Sequence, residues 1–427
     1  LTLEKDCTMM SRILYQTETV CVEYFSASYT KLAYVFSPLP TGSLSGNPDE
    51  GVRLLQHGFD VLAFKIKHHD GWQSIPPDLL KALANLAARR QYAETVAYGT
   101  ALGGYAALAF SGVLKPARAM LVSPQYPDDP DNAGDTGWAI SPACKFFIFF
   151  DNKSPDSAPL EQLLTRIPEG NAEVTQLPYS GHPSSACLQE AGLLAQLERT
   201  VLGQASCAGL DFSARTKGRS VAYLFNLGTA LLKRNKLISA LGVTQKALAI
   251  NDGVWSFHWR KAEILVKLDR HEAAILALQA AIALAPNVPD LHYHLSLSLL
   301  HLDRLPEALQ ASNRVMALVT DIHGFWGYHS NLLWRNGLPE QSLDAILRAI
   351  ELDPANAGYH AHKSGMLQAL ERLDESIQAA SDAVALAPNN QAHVTHLNSL
   401  RLKKQQCLPP PVLPQIIDLD KLLAPWH

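Results

Sequence analysis

Tyr98-Gly99-Thr100-Ala101-Leu102-Gly103-Gly104-Tyr105 decides the reading of the first half of the chain. Just before it, Thr95-Val96-Ala97-Tyr98 is a β-branched and aromatic run of strand type, and small residues suited to a tightly packed helix start at Leu102. Glycines stand on both sides of the turn, at Gly99 and Gly103, as in the G-x-S-x-G elbow that lifts a nucleophile to the head of a helix. The nucleophile slot itself holds Ala101, a methyl group with nothing to donate or attack. Thr100 carries a hydroxyl next to the slot, but at such a turn its side chain points the other way.

Downstream, the apolar run Lys145 to Phe150 has strand length and is followed at once by Asp151-Asn152-Lys153-Ser154-Pro155-Asp156. A further strand, Glu173 to Leu177, leads into Tyr179-Ser180-Gly181-His182-Pro183. The order is therefore elbow, acid, histidine, each after a strand. With these motifs in place, residues from about 30 to 201 resemble the α/β-hydrolase superfamily. The resemblance is to bacterial esterase-like domains with G-S-S-M-G-G-Y-A-A-L at the elbow, where this chain reads Gly99-Thr100-Ala101-Leu102-Gly103-Gly104-Tyr105-Ala106-Ala107-Leu108.

That resemblance implies a mostly parallel sheet with helices on both faces. It also implies roles: His182 as general base, and Asp156, at the start of a helix expected over Ser157 to Arg166, as its orienting acid. Asp151 is the alternative acid, or a residue that holds the loop. An oxyanion hole would use the N–H of Leu102 with one from the loop after strand Leu32 to Phe36, near Ser37 or Leu39. Two functional classes stay open. One is a serine-hydrolase-type acyl esterase or acyltransferase, acting on a small acyl substrate and, by analogy with similar fused domains, on a bacterial glycan or glycoprotein. As written, with Ala101 in the slot, it is inactive, and this class then expects serine at 101 in the native form, with an engineered Ser→Ala change in this sequence. The other is a natural pseudoenzyme or scaffold that binds protein or an anionic ligand without catalysis.

Around this core, strands and helices alternate: a strand at Val61 to Lys67, a helix at Asp78 to Arg90, a strand at Ala119 to Ser123. Ile13 to Ser28 is expected to add edge strands, and the Asp-, Pro- and Gly-rich segment Pro124 to Ser141 a loop over the carboxyl ends of the sheet. Its acids Asp128, Asp129 and Asp131 match no calcium-loop spacing and read as solvated. His68-His69-Asp70 and Trp72 follow a strand and could line the same mouth.

Residues 203–219 are small and polar, with little periodicity, and read as a linker between a domain over 1–202 and one over 220–406. Beyond it the pattern becomes a repeat. Ile250, Leu284, Leu318, Leu352 and Leu386 recur every 34 residues, as do Ala247, Ala281, Val315, Ala349 and Ala383. The same spacing joins Ala240, Ala274, Ala308, Ser342 and Ser376, and also the small residues Gly228, Ala262, Ser296, Ser330 and Ser364. Leu231, Leu265, Leu299, Leu333 and Leu367 follow three residues later. This period and small/large pattern resemble a tetratricopeptide repeat (TPR) array, an all-α superhelix of paired antiparallel helices. About five units are expected, then a capping helix near Gln391 to Gln406 and a Pro-rich tail over 407–427.

Such arrays bind partners on the face of the first helix of each pair. One register there reads Lys233, Lys267, His301 and Arg335 and breaks at Ala369; its neighbour reads Phe225, Trp259 and Tyr293 before Gly327 and Ala361. Cations beside aromatics suit a protein or peptide with an acidic segment or free carboxylate, or an anionic glycan. The plainer reading places the cations in solvent and the aromatics between repeats. A histidine-rich register, Arg260, His294, Tyr328, His362 and His396, is not expected to bind metal, because equivalent atoms of neighbouring repeats lie roughly 10 Å apart.

Composition limits the remaining options. The chain has 427 residues, 47% of them hydrophobic, enough for two cores, and its net charge of −4 gives no pull toward nucleic acid. No apolar run reaches the roughly 18 residues of a membrane span, and no signal peptide is expected. Six cysteines without C-x-x-C spacing read as reduced thiols of a cytoplasmic protein. No cofactor or metal is expected.

Overall fold

A computed structural model describes residues 10–38, 49–67, 72, 75–125, 139–154, 157–203 and 207–407. The chain forms two compact units, 1–252 and 253–427.

The first unit is built on an eight-stranded sheet: β1 (Met10–Gln16), β2 (Val20–Ser26), β3 (Lys31–Phe36), β4 (Asp60–Ile66), β5 (Glu94–Thr100), β6 (Arg118–Val122), β7 (Lys145–Phe150) and β8 (Ala172–Gln176). Its order is β1-β2-β4-β3-β5-β6-β7-β8. The pairs from β4 to β8 are parallel, whereas β1 with β2 and β2 with β4 are antiparallel. The sheet is therefore mixed. The Ile13 to Ser28 stretch supplies β1 at the edge and β2 inside it, and β2 brings in both antiparallel pairings.

Interleaved helices are α1 (Asp49–Gln56), α2 (Pro77–Arg89), α3 (Leu102–Ala109), α4 (Ser111–Leu114), α5 (Ser157–Leu164), α6 (Ser185–Glu190) and α7 (Leu194–Leu202). Period-two alternation sends Phe146, Ile148 and Phe150 of β7 into a core with α2 and α3, and Phe147 and Phe149 into an opposite core with α1 and α7. Both faces are thus buried, which is why the run Lys145–Phe150 is apolar without a polar stripe.

The segment read as a linker carries structure of its own. Cys207 is buried, Phe212 packs on Phe149 with ring centroids 6.1 Å apart, and α8 (Ala214–Lys217) is capped by Ser213. The first helical pair, α9 (Val221–Lys233) and α10 (Leu237–Ile250), completes this unit.

The second unit is all helical: α11 (Trp255–Lys267), α12 (His271–Leu284), α13 (Pro289–His301), α14 (Leu305–Leu318), α15 (His323–Arg335), α16 (Pro339–Leu352), α17 (Ala357–Ala369), α18 (Leu373–Leu386) and α19 (Gln391–Cys407). The chain turns between the helices of each pair at a residue with positive φ: Asp269 (57°), Asp303 (57°), Gly337 (72°) and Glu371 (60°), in step with Asn235 (55°) of the first pair. The small registers sit at the helix crossings. Ala274, Ala308, Ser342 and Ser376 are fully buried. The serines add a bond that alanine cannot: Ser296, Ser330 and Ser364 each donate to the carbonyl twelve residues on, at 2.6–2.8 Å. By contrast Leu284 and Leu386, which keep the period perfectly, are 46% and 43% exposed and contribute little core.

Candidate functional site

Ala101 ends β5 and caps α3 with φ 49° and ψ −123°, a region that costs a non-glycine residue about 1–3 kcal/mol. The glycines beside it are required by contact. A Cβ on Gly99 would meet the Gly103 carbonyl oxygen at 2.1 Å, and one on Gly103 would meet the Phe36 oxygen at 2.2 Å. The turn is held on both sides: the Ala101 N–H donates to Val122 O, and the Gln125 N–H to Ala101 O, each at 3.0 Å. Leu102 is the first residue of α3, so its N–H lies among the unpaired donors of a helix start, and it takes no backbone acceptor among the described residues. Its carbonyl accepts from Trp72 Nε1 at 3.1 Å.

Ser37 corrects the oxyanion expectation. Its N–H continues the ladder of β3 with β4, donating to Phe64 O at 3.0 Å, and is not available to a ligand. Leu39, the other candidate in that loop, falls outside the described residues.

His182 is exposed, and its Nε2 lies 3.2 Å from Gln125 Oε1. Gln125 thus touches both the elbow, through its backbone, and the histidine, through its side chain. In the sequence Gln125 stands within the segment expected to be a loop, with no motif around it. Asp151 is buried and faces the histidine loop's backbone. Its Oδ1 accepts from Lys153 N (2.8 Å) and Tyr179 N (2.9 Å), and its Oδ2 from Gly181 N at 2.9 Å. These bonds hold the backbone of the loop that carries His182. Asp156 lies outside the described residues, as do His68, His69, Asp70 and the Asp128 to Asp131 cluster.

Behind the loop, Ser180 and Ser123 both reach the buried Ser184 hydroxyl, at 2.7 and 2.9 Å. On its outer side α9 closes in. A Cβ at Gly181 (φ 84°) would meet Asn226 Nδ2 at 2.5 Å, and Lys217 Nζ donates to Pro178 O at 3.1 Å. The cleft beside His182, lined by Pro124, Phe150, Asp151 and Leu160, has a volume of about 10 Å³, room for a water and no more.

A larger cavity, about 280 Å³, opens within the second unit between α11, α12 and α13. Trp259, Ala262, Glu263, Val266, Lys267, Leu278 and His294 line it. Two of the residues singled out in the sequence, Trp259 and Lys267, therefore share one wall. Leu278, from the second helix of the pair, could not have been found by looking along first helices alone. Glu263 is paired with Arg260 at 3.5 Å, whereas Lys267 makes no ion pair among the described residues, so the mouth keeps a positive charge.

The remaining groove candidates are placed differently. Tyr293 packs against Phe325 (5.2 Å) and Tyr328 (5.0 Å), filling space between repeats. Arg335 pairs with Asp303 at 3.4 Å, and His301 lies the same distance from Asp269. Phe225 and Lys233, on α9, belong to the first unit; Phe225 is half-buried and Lys233 exposed. In the histidine-rich register, Tyr328 and His396 bond serines of the preceding pair, Ser296 at 2.8 Å and Ser364 at 3.0 Å, and serve the packing.

Residues 259–317 and 329–391 match the tetratricopeptide repeat family model, and the helical second unit is a TPR array. No curated protein matches the chain at a significant level. Among solved structures, YrrB, described as a TPR protein with an unusual peptide-binding site, is 18% identical. It aligns over 43% of this chain and 91% of its own with a TM-score of 0.38. MamA from Desulfovibrio magneticus RS-1 is 19% identical over 43% of this chain and 96% of its own, with a TM-score of 0.36. A thermophilic TPR protein from Thermus thermophilus is 17% identical over 43% of this chain and 100% of its own, with a TM-score of 0.32. Among the described residues no helix is long and apolar enough to cross a membrane.

Proposed function

We propose that this protein is a binding scaffold whose working site is the cavity of the repeat array, and that it takes a peptide segment presenting one large apolar side chain beside a carboxylate. The observation that carries this reading is the 280 Å³ cavity with Trp259 on its wall and Lys267 at its mouth. That volume suits one side chain better than a whole small-molecule ligand. Burying a Leu- or Phe-sized side chain contributes about 1.5–3 kcal/mol, whereas an exposed ion pair contributes up to about 1 kcal/mol. Trp259 and Leu278 would therefore supply affinity, and Lys267 the preference for a carboxylate.

Selecting displayed random octapeptides on the full chain tests this. The enriched peptides should share an apolar anchor next to an acidic residue or free C-terminus, and Lys267→Glu should weaken them about tenfold. Enrichment that Lys267→Glu and Trp259→Ala both leave intact would place the ligand elsewhere.

For the sheet unit, a second reading is favoured by one specific observation, the backbone of Ala101. An α/β-hydrolase-like fold is supported by the elbow angles, by Gly99 packed on Gly103 and Gly103 on Phe36, and by a parallel sheet block led by an antiparallel strand. In this reading the frame of a serine hydrolase is kept while the attacking atom is absent. Serine at position 101 would complete it, with His182 as base, Asp156 or Asp151 as acid, and the Leu102 N–H facing the oxyanion. Hydrolysis of p-nitrophenyl acetate by Ala101→Ser, lost again in Ala101→Ser/His182→Ala, is the expected result. A folded Ala101→Ser protein whose turnover is unchanged by His182→Ala would end the reading.

A further inference from the structure

The repeat supplies its own control for unusual residues, because each position has counterparts one period away. The second helix of a pair starts with Leu237, Leu305, Pro339 or Leu373, but α12 starts with His271. The first helix ends with Lys233, Lys267 or Arg335, and in the last pair with Ala369, but α13 alone ends with a histidine, His301. These two departures meet at one point. The His271 and His301 rings are stacked with centroids 3.8 Å apart, and both Nε2 atoms face the same oxygen of Asp269, at 3.3 and 3.4 Å. One ligand atom from each of the three residues lies within 4.8 Å of the others.

We propose that Asp269, His271 and His301 form a binding site for a divalent cation of the zinc type, joining the α11–α12 turn to the end of α13. Two imidazoles and one carboxylate are the ligand set of a four-coordinate zinc with one open position. Ligands about 2.0–2.2 Å from a tetrahedral ion stand about 3.3–3.5 Å from one another, which is the separation already present between Asp269 and each ring.

The residues differ usefully in freedom. His271 is 7% exposed, and its Nδ1 is buried without a hydrogen-bond partner among the described residues, so Nε2 is the atom it offers. The His301 side chain is 59% exposed and can turn out of the stack to direct its lone pair at a shared ion. At the same place in the next repeat, Asp303 faces Arg335, a fixed cation that occupies the position a metal would take. Water or a ligand carboxylate would fill the fourth position.

The test uses the full chain, stripped with chelator, titrated with zinc chloride by calorimetry and with cobalt(II) by visible absorption. His271→Leu and His301→Lys install the residues that other repeats carry at these positions, and circular dichroism checks the fold. With 16 histidines and 6 cysteines in the chain, the difference between parent and variants reads this site. Expected are one zinc per chain lost or weakened at least about tenfold in each variant, a tetrahedral cobalt spectrum in the parent, and a zinc-dependent rise in Tm that both variants lack. No zinc uptake by the parent, or uptake and a cobalt spectrum that both variants retain, would overturn the proposal. Should His271→Leu misfold, His301→Lys, at an exposed position, carries the test alone.

Discussion

The elbow at Ala101 and the wall at Trp259 are both ordered local sites of this chain, and they are ordered in opposite ways. The elbow is singular. Its backbone is held at φ 49°, a Cβ on either flanking glycine would lie 2.1–2.2 Å from a backbone oxygen, and the side chain at the turn is a buried methyl group. The array is repetitive. Its geometry recurs every 34 residues, so each position can be compared with its counterparts and the exceptions stand out. A strained single site has no counterpart elsewhere in the chain, whereas a repeat shows where it differs from itself.

The largest effect that would sharpen this contrast is expected at the glycines. Gly103→Ala would drive a methyl into the Phe36 and Ser37 carbonyl oxygens, backbone atoms with no room to retreat, and should cost more than about 3 kcal/mol or abolish folding. Gly365→Ala, inside α17 with nothing within 4 Å, should stabilise by up to about 1 kcal/mol. Urea melts of the two variants decide it. Equal, small effects would remove the distinction between a constrained elbow and a tolerant array.

Acid should find the array next. Burial pushes His329 down to about 4 from the ordinary 6.5, with its Nδ1 2.9 Å from the Ser312 hydroxyl, and burial moves His362 in the same direction. Above pH 6.5 His329 is neutral folded or unfolded. Between 6.5 and 4 the unfolded chain takes up a proton that the folded chain refuses, so stability falls as pH falls through that window. His329 alone accounts for a loss of roughly 3 kcal/mol at most. His329→Gln should flatten the slope of stability against pH, measured by denaturant melts at fixed pH. An unchanged slope would mean that His329 is protonated in the folded state.

A smaller effect belongs to the elbow backbone. Ala101→Gly removes the Cβ from a positive-φ position and should stabilise by about 1 kcal/mol, the relief of strain exceeding the extra freedom of the unfolded chain. A loss of stability would show that the Ala101 methyl packs well enough to outweigh its strain.

Much of this was legible in the residues, for local reasons. Lys145–Phe150 is a strand over the same six residues that its apolar run suggested, and the turn before Leu102 lies where its glycines put it. The repeat was legible because helix crossings at fixed spacing demand small residues in phase. What stayed hidden depends on pairing between distant segments. Ser37 could not be excluded as an oxyanion donor until β3 was seen beside β4, where its N–H meets Phe64 O. The bonds that the Tyr179 and Gly181 N–H groups donate to Asp151 join segments some thirty residues apart and left no local mark in the sequence. Gln125 and Leu278 carry no motif at all. His271 went unmarked in the sequence, because its stacking on His301 at 3.8 Å joins two different pairs of the array.

Burial also pushes the Cys144 and Cys207 thiols up to about 12, and Cys21 and Cys187 are buried and free as well. All four should resist alkylation in the folded protein at neutral pH, whichever unit's function is correct.

The central claim, that the array's cavity is the working site, is tested most directly with one pair of probes. A fluorescent octapeptide enriched on the full chain is titrated by anisotropy as its free acid and as its C-terminal amide, against the parent and Trp259→Ala. The prediction is that the acid binds the parent more tightly than the amide by up to about fivefold, the worth of one exposed charge pair. Trp259→Ala should weaken both forms at least about tenfold through the lost apolar wall. Equal binding of acid and amide, with no loss in Trp259→Ala, would contradict it.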